Sequence, residues 1–285
     1  MRLHADLNPG GRGGPVVGRQ SGRRTLGGDV QSVVCDGVVH APSPYEIFGS
    51  TKMTALKVSV IVPVFNEEHT IVDLLQRVRE QVVLDVAFEV IVVDDASQDH
   101  SLDLILSHTE LFDQLVTLKF NGGKGAAVLA GLQASHGEYI LFQDADLEYD
   151  PSEYSKLLMP VLKLHADIVM GSRLMAPQVT RVVYFWHRVG NKLLSSFFNI
   201  LHNTTFSDIY SCFLLYRKSL LDPNKILTRG WEQQAEILSR AVSNAKVIYE
   251  VPISYHGRTY AEGKKIRWHH GLSVMWRIFI TRVLG

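Results

Sequence analysis

"KVSVIVPVFNEEHTIVDLLQRVREQV" (57–82) changes its period once, and that change sets the fold. Residues 57–65 are almost continuously apolar and rich in β-branched side chains, which suits a strand buried on both faces. Beyond Glu67 the apolar positions fall at Ile71, Leu74, Leu75 and Val78, one face of a helix. Strand character returns in "FEVIVVDDAS" (88–97), "QLVTLKF" (114–120), "EYILFQDAD" (138–146) and "ADIVMGSR" (166–173), with the helical "GAAVLAGLQAS" (125–135) between. This alternation predicts a doubly wound α/β fold, a mostly parallel sheet flanked by helices.

The 285 residues are 46% hydrophobic and 20% charged, enough for one large domain or two small ones. Lys+Arg and Asp+Glu both total 29, so no charge excess points to nucleic acid. Cys35 and Cys212 lie in segments of different character, which argues against a disulfide framework and for a reducing, cytoplasmic setting. Residues 1–52, with "NPGGRGGPVVGRQSGRRTLGGD" (8–29), show no strand or helix period and no apolar run of signal-peptide length. They are expected to be a disordered tail or an over-extended start, with a single domain over 53–285.

In doubly wound sheets ligands bind beyond the carboxyl ends of the strands. The strand runs end in Pro63, Phe65 and Glu67; in Asp94 and Asp95; in Asp144, Asp146 and Glu148; and in Arg173. Parallel strands would bring all of these to one rim. Asp144 and Asp146, two apart on a strand, can converge on one ion, and hard oxygen ligands suit Mg²⁺ or Mn²⁺. "FNGGKGAAVLAG" (120–131) lacks the order of a P-loop, and no G-x-G-x-x-G follows the first strand, so the NAD-type reading fails. Lys124 either adds charge at an anion-binding helix start or simply enters a core helix.

"VSVIVPVFNEEHTI" (58–71), "VIVVDDASQD" (90–99), "NGGKGAAVLAGL" (121–132), "GEYILFQDADLEYDP" (137–151) and "IVMGSR" (168–173) together resemble the ordered motifs of family 2 glycosyltransferases of the GT-A fold. The branch most resembled is the dolichyl- and polyprenyl-phosphate sugar transferases, over about residues 57–280. The resemblance implies nucleotide-sugar and metal binding in 53–173 and an acceptor-side, helical, membrane-facing region in 174–285. It places Pro63, Phe65, Glu67, Val93 and Asp95 around the nucleotide. Asp144, Ala145 and Asp146 become the Asp-x-Asp that meets metal and diphosphate, with Glu148 as a further metal ligand. Lys124 and Arg173 fall near the donor, and Arg258 and Lys264 in "HGRTYAEGKK" (256–265) fall on its phosphates. Two positions depart from the family pattern. Ala96 stands where Gly is usual, and Gly263 stands where mannosyltransferases have Ser, which leaves the donor sugar open.

The implied reaction is a metal-dependent, inverting transfer from a nucleotide sugar to a polyprenyl phosphate. The charge that develops on the leaving diphosphate needs a cation, which carboxylate-held Mg²⁺ or Mn²⁺ supplies. A phosphate acceptor needs little general base, whereas a glycan or lipid hydroxyl would need one, with Asp208 or Glu236 as candidates. A non-catalytic nucleotide-sugar-binding protein is the reading of another class. A nucleotidyltransferase would need a glycine- and arginine-rich loop after strand one, which is missing. "VVYFWHRVGNKLLSSFFNIL" (182–201) puts Trp186, Val189, Leu193, Phe197 and Leu201 on one stripe, broken by Arg188 and Lys192. "GLSVMWRIFITRVL" (271–284) is similarly amphipathic and too short to span a bilayer. A basic, aromatic end of this kind suits peripheral contact with an anionic membrane, on its inner face.

Overall fold

The computed structural model describes residues 55–175, 185–257 and 270–284. The expectations for residues 1–52, Arg258, Gly263 and Lys264 fall outside the described residues. The elements run β1 (Leu56–Val64), α1 (Ile71–Arg79), β2 (Val86–Asp94), α2 (Ser101–Ser107), β3 (Gln114–Thr117), α3 (Lys124–Ala134) and β4 (Tyr139–Phe142). They continue with α4 (Tyr154–Leu164), β5 (Ile168–Ser172), α5 (Phe185–His202), β6 (Leu214–Arg217), α6 (Gln233–Asn244), β7 (Ile248–Pro252) and α7 (His270–Leu284).

The seven strands form one sheet in the order β3-β2-β1-β4-β6-β5-β7. β1 pairs in parallel with β2 and β4, β2 with β3, and β5 with β7. β6 is antiparallel to both β4 and β5, so β5 still points the same way as β4. The five strands read from the sequence therefore share a direction, but β5 does not adjoin β4. The sequence reading missed β6 and β7. β6 is four residues of "LLYR", too short to stand out from a buried loop, and β7 is an edge strand with Tyr249 and Pro252 exposed.

The period change in 57–82 folds as expected. α1 buries Ile71, Leu74, Leu75 and Val78, the face its spacing defines. Val58, Val60, Ile61 and Val62 of β1 and Val90–Val93 of β2 are buried, as β1 and β2 are interior strands between β3 and β4. The small residues of α3 let it lie close on that sheet: a Cβ at Gly131 would meet Ile61 Cγ2 at 2.5 Å.

One buried charge anchors the amino-terminal part of the sheet. Glu89, in register with Ser59, accepts from Lys57 Nζ at 2.7 Å, from Ser59 Oγ at 2.5 Å and from the His136 backbone N–H at 2.8 Å. Burial alone would raise this carboxyl, but the Lys57, Ser59 and His136 donors outweigh it and hold it down to about 2. A depressed folded-state carboxyl stabilises above its unfolded value and loses that contribution as pH falls through the folded one. Stability from Glu89, on the order of 2–3 kcal/mol, should therefore be intact above about pH 4.5 and vanish toward pH 2. Glu89→Gln should flatten the unfolding free energy over that window; an unchanged acid limb would contradict the assignment.

Candidate active site

The carboxyl ends of β1, β2, β4 and β5 meet at one rim. The loops after β1 and β2 are stitched together by backbone-to-side-chain bonds: Asn66 N donates to Ser97 Oγ (3.1 Å), Gln98 N to Asn66 Oδ1 (2.8 Å) and Glu67 N to Ser101 Oγ (2.8 Å). Three non-glycine residues at this rim, Asn66, Ala96 and Leu147, hold φ of 54°, 57° and 59°. Left-handed backbone costs a side-chain-bearing residue roughly 1 kcal/mol or more, and such strain gathers at functional sites. Ala96 is the position where the family pattern has Gly. Ala96→Gly should raise stability by about 0.5–1 kcal/mol, read as a shifted denaturant midpoint at constant slope.

Past β2, Asp95 is buried and accepts the backbone N–H groups of Gly122 and Gly123, both at 2.8 Å. Burial raises its carboxyl above the usual range despite those two donors. Pro63 is half-buried and in register with Val93, whose side chain lies wholly in the core. Phe65 and Glu67 stand half-buried just past β1. Asp94, beside Asp95, accepts from Ser97 N with one oxygen, while its buried Oδ1 has no hydrogen-bond partner among the described residues.

Past β4, Gln143 is buried and ties down the following turn, donating to the carbonyls of Asp144 (3.0 Å) and Tyr149 (3.1 Å) and accepting from Tyr154 Oη (2.9 Å). That turn presents Asp144, Asp146 and Glu148 around a buried Ala145. Asp144 Oδ1 pairs with Lys124 Nζ at 2.5 Å. Burial would lower the Lys124 ammonium, but Asp144 and Asp146 keep it charged. Of the two alternatives for Lys124, then, neither holds alone: it begins a core-packed helix and turns its charge into the site. The buried Cys212 thiol lies against the same pair, raised by burial and by Asp144. Asp146 Oδ1 accepts Glu148 N at 3.1 Å, and Glu148 Oε2 accepts Tyr255 Oη at 2.7 Å.

Arg173, at the end of β5, forks onto Asp208 through Nε (2.7 Å) and Nη2 (2.8 Å) and donates to the Tyr210 carbonyl at 3.1 Å. Its guanidinium lies 5.1 Å above the Tyr255 ring centre. Burial opposes the charge, but the Asp208 carboxylate holds Arg173 protonated well above its ordinary range. Asp208 is itself fully buried, and the Ser207 and Asp208 N–H groups donate to Glu250 of β7. The structure thus joins Glu148, Arg173 and Asp208 through Tyr255, a residue that no pattern in the sequence singled out. Glu236, the other candidate base, is fully buried and receives Thr228 N (2.9 Å), Thr228 Oγ1 (2.6 Å) and Arg240 (3.0 Å). These bonds outweigh burial and lower its carboxyl. It braces the approach to α6.

Among the described residues no three acidic, His or Cys side chains converge as a metal cage. Two neighbouring carboxylates, Asp144 and Asp146, nonetheless fit Mg²⁺ or Mn²⁺, since such ions commonly take one or two carboxylates and complete their shell with substrate phosphates and water.

Residues 59–223 match the family model "Glycosyl transferase family 2". The chain belongs to glycosyl transferase family 2. This family 2 chain is 29% identical over 216 residues to the low-salt glycan biosynthesis hexosyltransferase Agl6 of Haloferax volcanii, covering 74% of its own length and 51% of the relative's. It is 30% identical over 212 residues to the undecaprenyl-phosphate 4-deoxy-4-formamido-L-arabinose transferase of Pseudomonas aeruginosa, covering 73% and 60%. It therefore spans only about half to three-fifths of these relatives. Among solved structures it resembles M. tuberculosis glucosyl-3-phosphoglycerate synthase in complex with Mn²⁺, UDP-glucose and phosphoglyceric acid (TM-score 0.59, 18% identity, 82% and 84% covered). It also resembles S. aureus TarS 1-349 in complex with UDP-GlcNAc (TM-score 0.53, 20% identity, 81% and 68% covered). At that identity the likeness establishes the fold, which is of the GT-A type.

Proposed function

We propose that this family 2 chain transfers a sugar, with inversion, from a nucleotide-sugar donor to a polyprenyl phosphate, with Mg²⁺ or Mn²⁺ held by Asp144 and Asp146 and by Glu148 beside them. The observation that carries the reading is that the turn beyond β4 and the end of β5 come together at one rim: Tyr255 donates to Glu148 at 2.7 Å, and the Arg173 guanidinium lies 5.1 Å above the same ring. Bound metal supplies Lewis-acid stabilisation of the departing diphosphate. Asp95 and the segment Pro63–Glu67 receive the nucleotide, and Val93 packs behind them. Arg173, fixed by Asp208, orients anionic oxygens. Arg258 and Lys264 add charge to the diphosphate. The P. aeruginosa relative named for undecaprenyl phosphate, and the neighbours solved with Mg²⁺ or Mn²⁺ and UDP, support donor, metal and acceptor class.

With Asp208 and Glu236 both buried and hydrogen-bonded, neither is set to deprotonate an acceptor hydroxyl. That favours an acceptor already ionised, as a phosphate monoester is. A screen of nucleotide sugars against vesicles carrying undecaprenyl phosphate tests the reading. Release of nucleoside diphosphate should require both the lipid phosphate and the metal. Equal release without lipid phosphate, or in EDTA, would contradict it.

Membrane contact is part of the proposal. The stripe read on α5 divides: Trp186 and Leu193 face out, Val189 is half-buried, and Phe197 and Leu201 are half-buried and pack against the core. α7 buries Val274 and Ile278 and exposes Leu272, Trp276 and Val283. Arg282 Nε ties α7 to the Leu201 carbonyl of α5 at 3.0 Å. Among the described residues no helix is long and apolar enough to cross a membrane. Such apolar stripes with basic residues beside them suit the interface of an anionic membrane, here its inner, cytoplasmic face.

A further inference from the structure

Lys124 opens α3, and its ammonium sits 2.5 Å from Asp144 Oδ1, on the carboxylate assigned to the metal. The backbone that carries it is pinned. Gly125 N donates to the Arg229 carbonyl at 2.9 Å, and a Cβ at Gly125 would lie 2.5 Å from the Arg229 carbonyl carbon. Immediately upstream, the Gly122 and Gly123 N–H groups are taken by Asp95, the acid assigned to the nucleotide. One four-residue segment, Gly122–Gly125, therefore ties the nucleotide side to the metal side. Two like-charged carboxylates near a strand end need a cation, and among the described residues Lys124 is the one that meets Asp144.

We propose that Lys124 is the place-holder of the metal site: it neutralises Asp144 while no donor is bound, and it couples metal binding to nucleotide-diphosphate binding. The inference rests on the metal-dependent reading above. A divalent ion that reaches Asp144 must displace the ammonium, so the ion alone binds weakly. A nucleoside diphosphate offers the displaced ammonium an anionic partner within reach of the same helix start, and a nucleotide engaging Asp95 releases the Gly122 and Gly123 N–H groups that hold the segment in place. Metal and diphosphate then enter together, and free metal does not saturate the site unproductively. Lys124 is in this sense a positioning residue whose effect is read in binding as well as in turnover.

The test is Mn²⁺ binding to the whole chain, followed by electron paramagnetic resonance of free Mn²⁺, with no nucleotide and then with UDP and, in parallel, GDP. The wild type should bind Mn²⁺ weakly alone. Lys124→Met should bind Mn²⁺ alone about tenfold tighter or more, because a unit positive charge beside the ion is gone, and added UDP or GDP should improve its affinity less than it does for the wild type. Lys124→Arg, which keeps the charge, should stay close to the wild type. Lys124→Gln repeats the neutral substitution should Lys124→Met not fold, as judged by its melting transition. Mn²⁺ affinity in both neutral variants no better than in the wild type would overturn the proposal, with Lys124–Asp144 then an ordinary structural ion pair. If Mn²⁺ still supports sugar transfer in that case, only the place-holder role falls. Absence of Mn²⁺ binding to any of the proteins, even with UDP or GDP, would overturn the metal-dependent reading as well.

Discussion

Asp146→Asn is expected to lower sugar transfer by roughly two orders of magnitude or more, the scale on which removal of one transition-state-stabilising group acts. Asn is the sharp substitution here because it keeps the local structure. Asp146 Oδ1 accepts the Glu148 N–H at 3.1 Å, and an amide oxygen can accept it equally well. What disappears is one negative charge in the turn beyond β4, the charge proposed to face the metal. The melting temperature should therefore hold within a degree or two while turnover and its response to added Mg²⁺ or Mn²⁺ collapse. Turnover within about threefold of the wild type would remove Asp146 from the metal site. A matching fall in melting temperature would mean that the residue is structural first.

Asp208→Ala is expected to cost about 3–5 kcal/mol of stability, the range for stripping one partner from a buried ion pair. Arg173, 14% exposed, would be left with its charge and its Tyr210 carbonyl but without the two oxygens it forks onto. Asp208→Asn retains one acceptor and should cost less. The pair separates two readings of the same residue. A base for a hydroxyl acceptor would show its loss in turnover, roughly a hundredfold, at unchanged stability and unchanged donor binding. An anchor for Arg173 would show it in stability and donor binding together. A double-mutant cycle over Arg173→Ala and Asp208→Ala should give a coupling energy of a few kcal/mol, and near-additive effects would contradict the anchor.

The fold was legible where burial writes a period. Ile71, Leu74, Leu75 and Val78 mark the inner face of α1 because only that face is desolvated, and the runs ending at Val64 and Asp94 are apolar because both sheet faces are covered. It was less legible on the far side of the sheet. β6 is short, and its antiparallel insertion between β4 and β5 depends on long-range pairing that local composition does not encode. On α5 spacing alone does not separate the two faces: Trp186 and Leu193 face out, while Phe197 and Leu201 on the same stripe pack against the core.

At the site, the acids at strand ends were readable because parallel strands deliver their ends to one rim. Their partners were not. Lys124 reaches Asp144 from another helix, Asp208 reaches Arg173 across 35 positions, and Tyr255 meets Glu148 across 107. Such pairings follow from the tertiary fold. They also changed the meaning of two candidates: Asp208 and Glu236 look like available carboxylates in sequence and are fully engaged in the structure.

The most direct measurement offers the chain one nucleotide sugar, Mg²⁺ or Mn²⁺, and either undecaprenyl phosphate or undecaprenol in the same vesicles, and follows sugar-lipid product by mass spectrometry. Product with the phosphate, absent with the alcohol and absent in EDTA, is the expected result. A phosphate oxygen needs no base, and the two carboxylates read as candidate bases for an alcohol, Asp208 and Glu236, are already bound. Product from the alcohol, or ready transfer to a soluble glycan with none to the lipid phosphate, would contradict it.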